Sequence, residues 1–213
     1  MSSSRTVLVP RERLRRWFEN FESRHGESQF TVHGGQLRSA AEDGEVATAA
    51  LPFGRGYDGP PDVAGLVEAA APHATTWGVL LVRKGGFAVA ALEGTTTLSS
   101  KVGQRHVQGR TKAGGQSQQR FSRRRDNQAR QAYEAAAEHT FRILVSEHSD
   151  VGALVCGGDR PAVDAVLAEP RLAHLSDVRV EPWLPVPDPR RAVLDQAILD
   201  AQSVQITLAH RSV

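Results

Sequence analysis

Three strand-like runs stand almost end to end between residues 76 and 102: TWGVLLVR (76–83), GFAVAALE (86–93) and TTTLSSKV (95–102). Gly85-Gly86 and Glu93-Gly94 mark the turns between them, and connections that short join only antiparallel neighbours. The runs therefore predict an antiparallel meander. Downstream, the spacing predicts a long helix from about Gln118 to Ser146, with Ala129, Ala132, Tyr133, Ala136 and Ile143 on its inner face. VGALVCGG (151–158) reads as a buried strand, and Asp159-Arg160-Pro161 opens the next helix, since proline suits a first helical turn. VRVEPW (178–183) reads as a last short strand and 189–204 as a final helix.

Upstream of the meander, residues 10–24 carry Leu14, Trp17, Phe18 and Phe21 at helical spacing, with Pro10 near the start. QFTVH and QLRSA alternate apolar and polar residues around Gly34-Gly35, a two-residue hairpin turn. VATAALPF (46–53) is a third strand, GRGYDGPP (54–61) a loop and 62–71 a short helix. No linker separates these elements. The expected fold class is α/β: a single domain over 1–213 with a mixed β-sheet and flanking helices. Residues 1–72 are read as a sheet extension and a segment that contacts partners, and 73–213 as the core.

Composition narrows the function. A single Cys excludes an internal disulfide, and no Cys-x-x-Cys pair is present for a structural zinc. No apolar run approaches the roughly 18 residues needed to cross a bilayer, and the N-terminus breaks into charge after three apolar residues. The expectation is a cytoplasmic protein with no membrane partner and no cofactor.

The net charge of +2 hides its distribution. Residues 101–130 hold nine basic side chains against one acid, a net +8. The other 183 residues hold 17 basic and 23 acidic ones, a net −6. A concentrated basic segment on an acidic body fits a polyanionic partner, of which nucleic acid is the commonest. Arg120, Arg123, Arg124, Asn127 and Arg130 recur every three or four residues and so share one helix face, with Arg125 beside them.

Gly-Gly-Gln occurs at 34–36 and again at 114–116. The first copy is explained by the hairpin. The second sits in a polar loop flanked by Arg110 and Lys112, immediately before the arginine-rich helix, and Ser117 stands where an N-cap would. The stretch GRTKAGGQSQQRFSRRR resembles the GGQ loop and following helix of eukaryotic and archaeal class I translation termination factors. The resemblance runs upstream through WGVLLVRKGGFAVAALEG and downstream into DVGALVCGGDRPAV, covering about 76–204. Without codon-reading or GTPase-binding domains, such a chain resembles the short bacterial branch of the Vms-like release factors (VLRF), peptidyl-tRNA hydrolases of ribosome quality control.

That resemblance implies a ribonuclease H-like fold with a GGQ loop at 103–117. It implies a monomer that binds the rRNA of the large ribosomal subunit and peptidyl-tRNA, and not DNA. It further implies that Gly114, Gly115 and Gln116 are catalytic, and that Arg110, Lys112, Arg120, Arg123, Arg124, Arg125 and Arg130 bind RNA. A glutamine amide does not titrate near pH 7, so Gln116 is no conventional general base. It can place a hydrogen bond on the attacking water or on developing negative charge. Gly114 and Gly115, lacking side chains, can enter a crowded RNA cavity.

Other candidates carry less. His106 reads as a bystander or phosphate contact, and His139 and His148 lack metal-ligand partners. Cys156 lies in an apolar strand, and Gly157-Gly158 reads as a tight turn. A ribonuclease H-like nuclease would need clustered carboxylates, and the central runs offer Glu93 alone, at an end. The alternative to the hydrolase is a non-catalytic ribosome- or RNA-binding module using the basic helix 118–130. In either case, replacing Arg123 and Arg124 with Ala weakens ribosome binding and flattens its dependence on salt. Binding titrations over a range of salt check this, and an unchanged slope contradicts it.

Overall fold

The computed structural model describes residues 4–72, 75–104 and 130–210. In chain order the first elements are β1 (Arg5–Val9), α1 (Leu14–His25), β2 (Ser28–His33), β3 (Gln36–Ala41), β4 (Glu45–Ala50) and α2 (Val63–Ala69). The meander follows as β5 (Thr76–Arg83), β6 (Gly86–Glu93) and β7 (Thr96–Gln104). Helix α3 is described over residues 130–141 and continues as a π-helical turn over Arg142–Ser146. Then come β8 (Ala153–Gly158), α4 (Arg160–Leu167), α5 (Ala173–Asp177), β9 (Arg179–Leu184), α6 (Arg191–Ala201) and β10 (Val204–His210). The chain groups into two compact units, residues 1–72 with 199–213, and residues 73–198.

In the first unit all five strands are antiparallel, in the order β1-β10-β4-β3-β2. Gly34 and Gly35 take φ of +57° and +73°, left-handed values that a two-residue hairpin turn requires and that only glycine adopts freely. The first Gly-Gly-Gln is thus the end of that hairpin, with Gln36 paired opposite His33. Leu37, Ala49 and Ile206 lie in register across three strands and are fully buried. Leu14, Phe18 and Phe21 of α1 and Leu66 of α2 belong to the same core. Trp17 stacks on Phe21 at 5.6 Å and meets Phe18 edge-on at 4.9 Å.

Three expectations are corrected here. The N-terminal strands do not extend the meander's sheet; they form a second sheet, in which a strand from the far end of the chain lies between β1 and β4. VRVEPW is therefore not the last strand, and the final helix stops at Ala201 rather than reaching 204. The alternation of Val204, Ile206 and Leu208 is the period-2 signal of a half-buried strand, and these residues face Val9, Val7 and Arg5 of β1 in register.

The second unit carries the mixed sheet, in the order β7-β6-β5-β8-β9. The meander β5-β6-β7 is antiparallel, while β8 pairs parallel to β5, and β9 parallel to β8. This is the mixed sheet of the expected α/β class. Strand β6 is buried at every position but its last, Glu93. On one face Leu80, Val82, Phe87 and Val89 pack with Ala136, Ile143 and Leu144 of the long helix and with Val163 of α4. On the other face Trp77, Val79, Leu81, Ala88, Ala90 and Leu92 are buried as well.

The inner face expected for the long helix holds at Ala132, Tyr133, Ala136 and Ile143; Ala129 lies outside the described residues. The π-helical turn, closed by Glu147 N–H donating to Arg142 O at 2.9 Å, adds a residue per turn and lets the adjacent Ile143 and Leu144 both face the core. Buried Thr140 donates to Ala136 O at 2.7 Å, so its hydroxyl is satisfied within the helix. Leu80 sits at the centre of this core. Leu80→Ala is expected to destabilise the protein by about 2–5 kcal/mol in chemical denaturation, the range for an aliphatic truncation that leaves a cavity.

Candidate functional site

The segment that bears the sequence-derived site leaves β7 and returns in α3. Gly114, Gly115, Gln116, Arg110, Lys112, Arg120, Arg123, Arg124 and Arg125 lie outside the described residues, as do His106 and Ser117. Arg130 is the first described residue of α3. The structure describes the two stems between which that segment runs.

The strand stem ends at one end of the sheet. Gln104 is opposite Gly86, Gly86 opposite Arg83, and Val82 opposite Gly158. β7 therefore finishes where β5 and β8 also finish. One residue before that end, Gly103 is opposite Phe87, and a Cβ at Gly103 would collide with the edge of the Phe87 ring. The glycine is there because the ring lies against its backbone. Phe87 also stacks on His139 of α3, with centroids 5.5 Å apart and planes 26° from parallel. A single aromatic ring thus touches both stems.

The helix stem is tied down along its length. Tyr133 packs against the core, and burial, with Asp159 second, pushes its hydroxyl above the usual tyrosine range. The Arg171 guanidinium lies 4.5 Å from the centre of the Phe141 ring and donates to Glu138 and Glu169, both at 3.0 Å. His148 Nε2 stands 3.2 Å from Ser99 Oγ of β7. By contrast, Arg130 and Glu134 are an exposed i,i+4 pair at 3.7 Å, worth only about 0.3–0.5 kcal/mol. That leaves Arg130 cheaply available to another anion.

The local electrostatics are basic. His139 is held below the ordinary histidine range, first by burial and then by Arg142 and Lys101, with Glu138 opposing. Burial pushes the Cys156 thiol up to about 12, which fits a packing residue and not a nucleophile. Gly157 and Gly158 do not form the tight turn expected there: they are the last residues of β8, opposite Leu81 and Val82 of β5, and Asp159 N–H donates to Val82 O at 2.9 Å just beyond them. Among the described residues no three His, Cys, Asp or Glu side chains gather as a metal site. No helix among them is long and apolar enough to cross a membrane.

Sequence reasoning missed Phe87 and Gly103, and set His139 aside on metal-binding grounds alone. The available signal was Phe87 as the only large aromatic in GFAVAALE, one residue past a turn and within reach of a glycine in the next strand.

A family profile described as "Actinobacteria/chloroflexi VLRF1 release factor" matches residues 75–207, more than half of the chain. No curated protein matches. Among solved structures, one titled "Archaeal protein" is similar at 13% identity and a TM-score of 0.38, over 77% of this chain and 51% of its own. The archaeal translation termination factor aRF1 is similar at 10% identity and a TM-score of 0.40, over 95% of this chain and 65% of its own. The chain therefore spans less than two thirds of either.

The stem geometry carries a pH signature. A histidine whose folded pKa lies below its unfolded value of about 6.5 binds fewer protons when folded. Its contribution to stability is therefore present above about pH 6.5 and is lost as pH falls below that value. His139→Phe, which keeps a ring on Phe87, is expected to flatten the fall in stability between about pH 7 and 5. Parallel urea melts of the two proteins check this.

Proposed function

Because the chain belongs to the Actinobacteria/chloroflexi VLRF1 release factor family, we propose that it is a codon-independent peptidyl-tRNA hydrolase. In this reading it acts as a cytoplasmic monomer on the large ribosomal subunit and frees stalled nascent chains. The observation that carries the proposal is the placement of Gly114-Gly115-Gln116. It stands in the basic segment joining β7 to α3, inside the residues matched by the family, and its stems share one clamping ring.

The reaction is hydrolysis of the ester between the peptide and the terminal ribose. Water attacks the carbonyl carbon, the bond to the ribose oxygen breaks, and that oxygen leaves with a proton. The products are a peptide acid and a free tRNA. Gln116 supplies a hydrogen bond to the attacking water or to the carbonyl oxygen as charge develops there. Gly114 and Gly115 let the backbone enter the peptidyl-transferase centre, where rRNA forms the rest of the site. Arg110, Lys112, Arg120, Arg123, Arg124, Arg125 and Arg130 hold phosphates and set the loop's register, since phosphate contacts position without specifying sequence.

Release of a labelled nascent chain from stalled peptidyl-tRNA on isolated large subunits tests the reading. Wild type is expected to release it, and Gln116→Ala to lose about 10²–10³-fold in rate, the usual cost of removing one oxyanion donor. Binding without release by either protein would favour the RNA-binding module. Equal release by both would place the chemistry elsewhere.

A further inference from the structure

A second basic surface lies in the unit formed by residues 1–72 and 199–213, and its arginines precede the family-matched residues 75–207. Residues 11–16 read RERLRR: four arginines, one glutamate and Leu14. Leu14 is fully buried and anchors the turn, while Arg11, Arg13, Arg15 and Arg16 are all exposed. Arg11 Nε donates to Val67 O of α2 at 2.7 Å, which fixes the short 3-10 turn Arg11–Arg13 ahead of α1.

Apart from that one bond of Arg11, the fold does not explain these arginines. Among the described residues none of the four is within ion-pair distance of a carboxylate. Yet Glu12 and Glu19 stand at i,i+4 spacing from Arg16 and Arg15, where pairs would form if stability were the purpose. The placement is also unfavourable for the helix. The start of a helix carries the positive end of its dipole, which favours acids and disfavours cations, and the first turn of α1 holds no acid. The last turn, with Arg24 and His25, has the conventional polarity. Among the described residues, Arg13, Arg15 and Arg16 thus stand exposed and without an ion pair at the helix end that disfavours cations.

We propose that Arg11, Arg13, Arg15 and Arg16 form a docking surface for the phosphate backbone of RNA, separate from the loop at 103–117. Guanidinium forks match phosphate oxygens bidentately, and an anion there would satisfy the arginines and the helix dipole together. A lipid surface fits less well. Phe18 is buried and Trp17 half-buried in the unit's own core, so no exposed large apolar side chain stands beside the arginines to enter hydrocarbon. The inference rests on the proposed ribosomal role only for the source of the RNA.

The test is the triple variant Arg13→Gln, Arg15→Gln, Arg16→Gln in the full chain, measured three ways. Its melting temperature is expected to equal or exceed that of wild type. Its affinity for large ribosomal subunits at about 0.1 M salt is expected to fall about ten-fold or more, with the slope of log K against log salt reduced by about 2. Unchanged affinity and slope would overturn the proposal and leave a solvated helix end. A lowered melting temperature would overturn it in favour of a structural role. Unchanged subunit binding with lost adsorption to phosphatidylglycerol vesicles would overturn it in favour of a membrane. Because binding is read without hydrolysis, a chain that binds through these arginines but releases no peptide would sink the hydrolase reading and leave this one standing.

Discussion

Strand β5 is the constraint from which the second unit follows. It pairs antiparallel with β6 on one side and parallel with β8 on the other. Short turns suffice for the meander, which brings β7 out at the same sheet end as β5. A parallel partner must then begin at the opposite end, and reaching it takes a long crossover, usually a helix. Helix α3 supplies that return. Residues 105–129, which hold Gly114-Gly115-Gln116, therefore connect the end of β7 to α3. Their departure point follows from topology before any catalytic demand is made.

A segment joined to an edge strand would be poorly aimed if its two stems moved independently. The contact of Phe87 with the Gly103 backbone and with the His139 ring couples the stems through one side chain. The Arg171 network and the His148–Ser99 contact fix the far end of the same helix to neighbouring elements. In the proposed reading, pre-organisation of this kind would let a glutamine that offers one hydrogen bond and no proton transfer matter to a rate.

The local elements were legible because their signals are local. Gly34-Gly35 and Gly85-Gly86 announced hairpins, the spacing from Leu14 to Phe21 announced α1, and Pro161 announced α4. Pairing across sequence distance was not legible: nothing near Val204 says that it will lie opposite Val9, so the second sheet was missed. The candidate site split the same way. Gly-Gly-Gln and the arginine stripe are motifs within one short segment, whereas Phe87, Gly103 and His139 meet only in the folded chain. The arginines at 11–16 stood in plain view, but their meaning depends on burial of Leu14, on the unformed pairs with Glu12 and Glu19, and on which end of a helix they occupy. None of these is a property of composition.

The central claim is that the loop between β7 and α3 reaches the ester of peptidyl-tRNA. Placing a photoreactive phenylalanine derivative at Ser117, beside the glutamine, and irradiating the protein on stalled large subunits tests it most directly. The account predicts cross-links to the 3′-terminal adenosine of the tRNA or to rRNA of the peptidyl-transferase centre. Cross-links confined to the outer surface of the subunit, with binding intact, would contradict it.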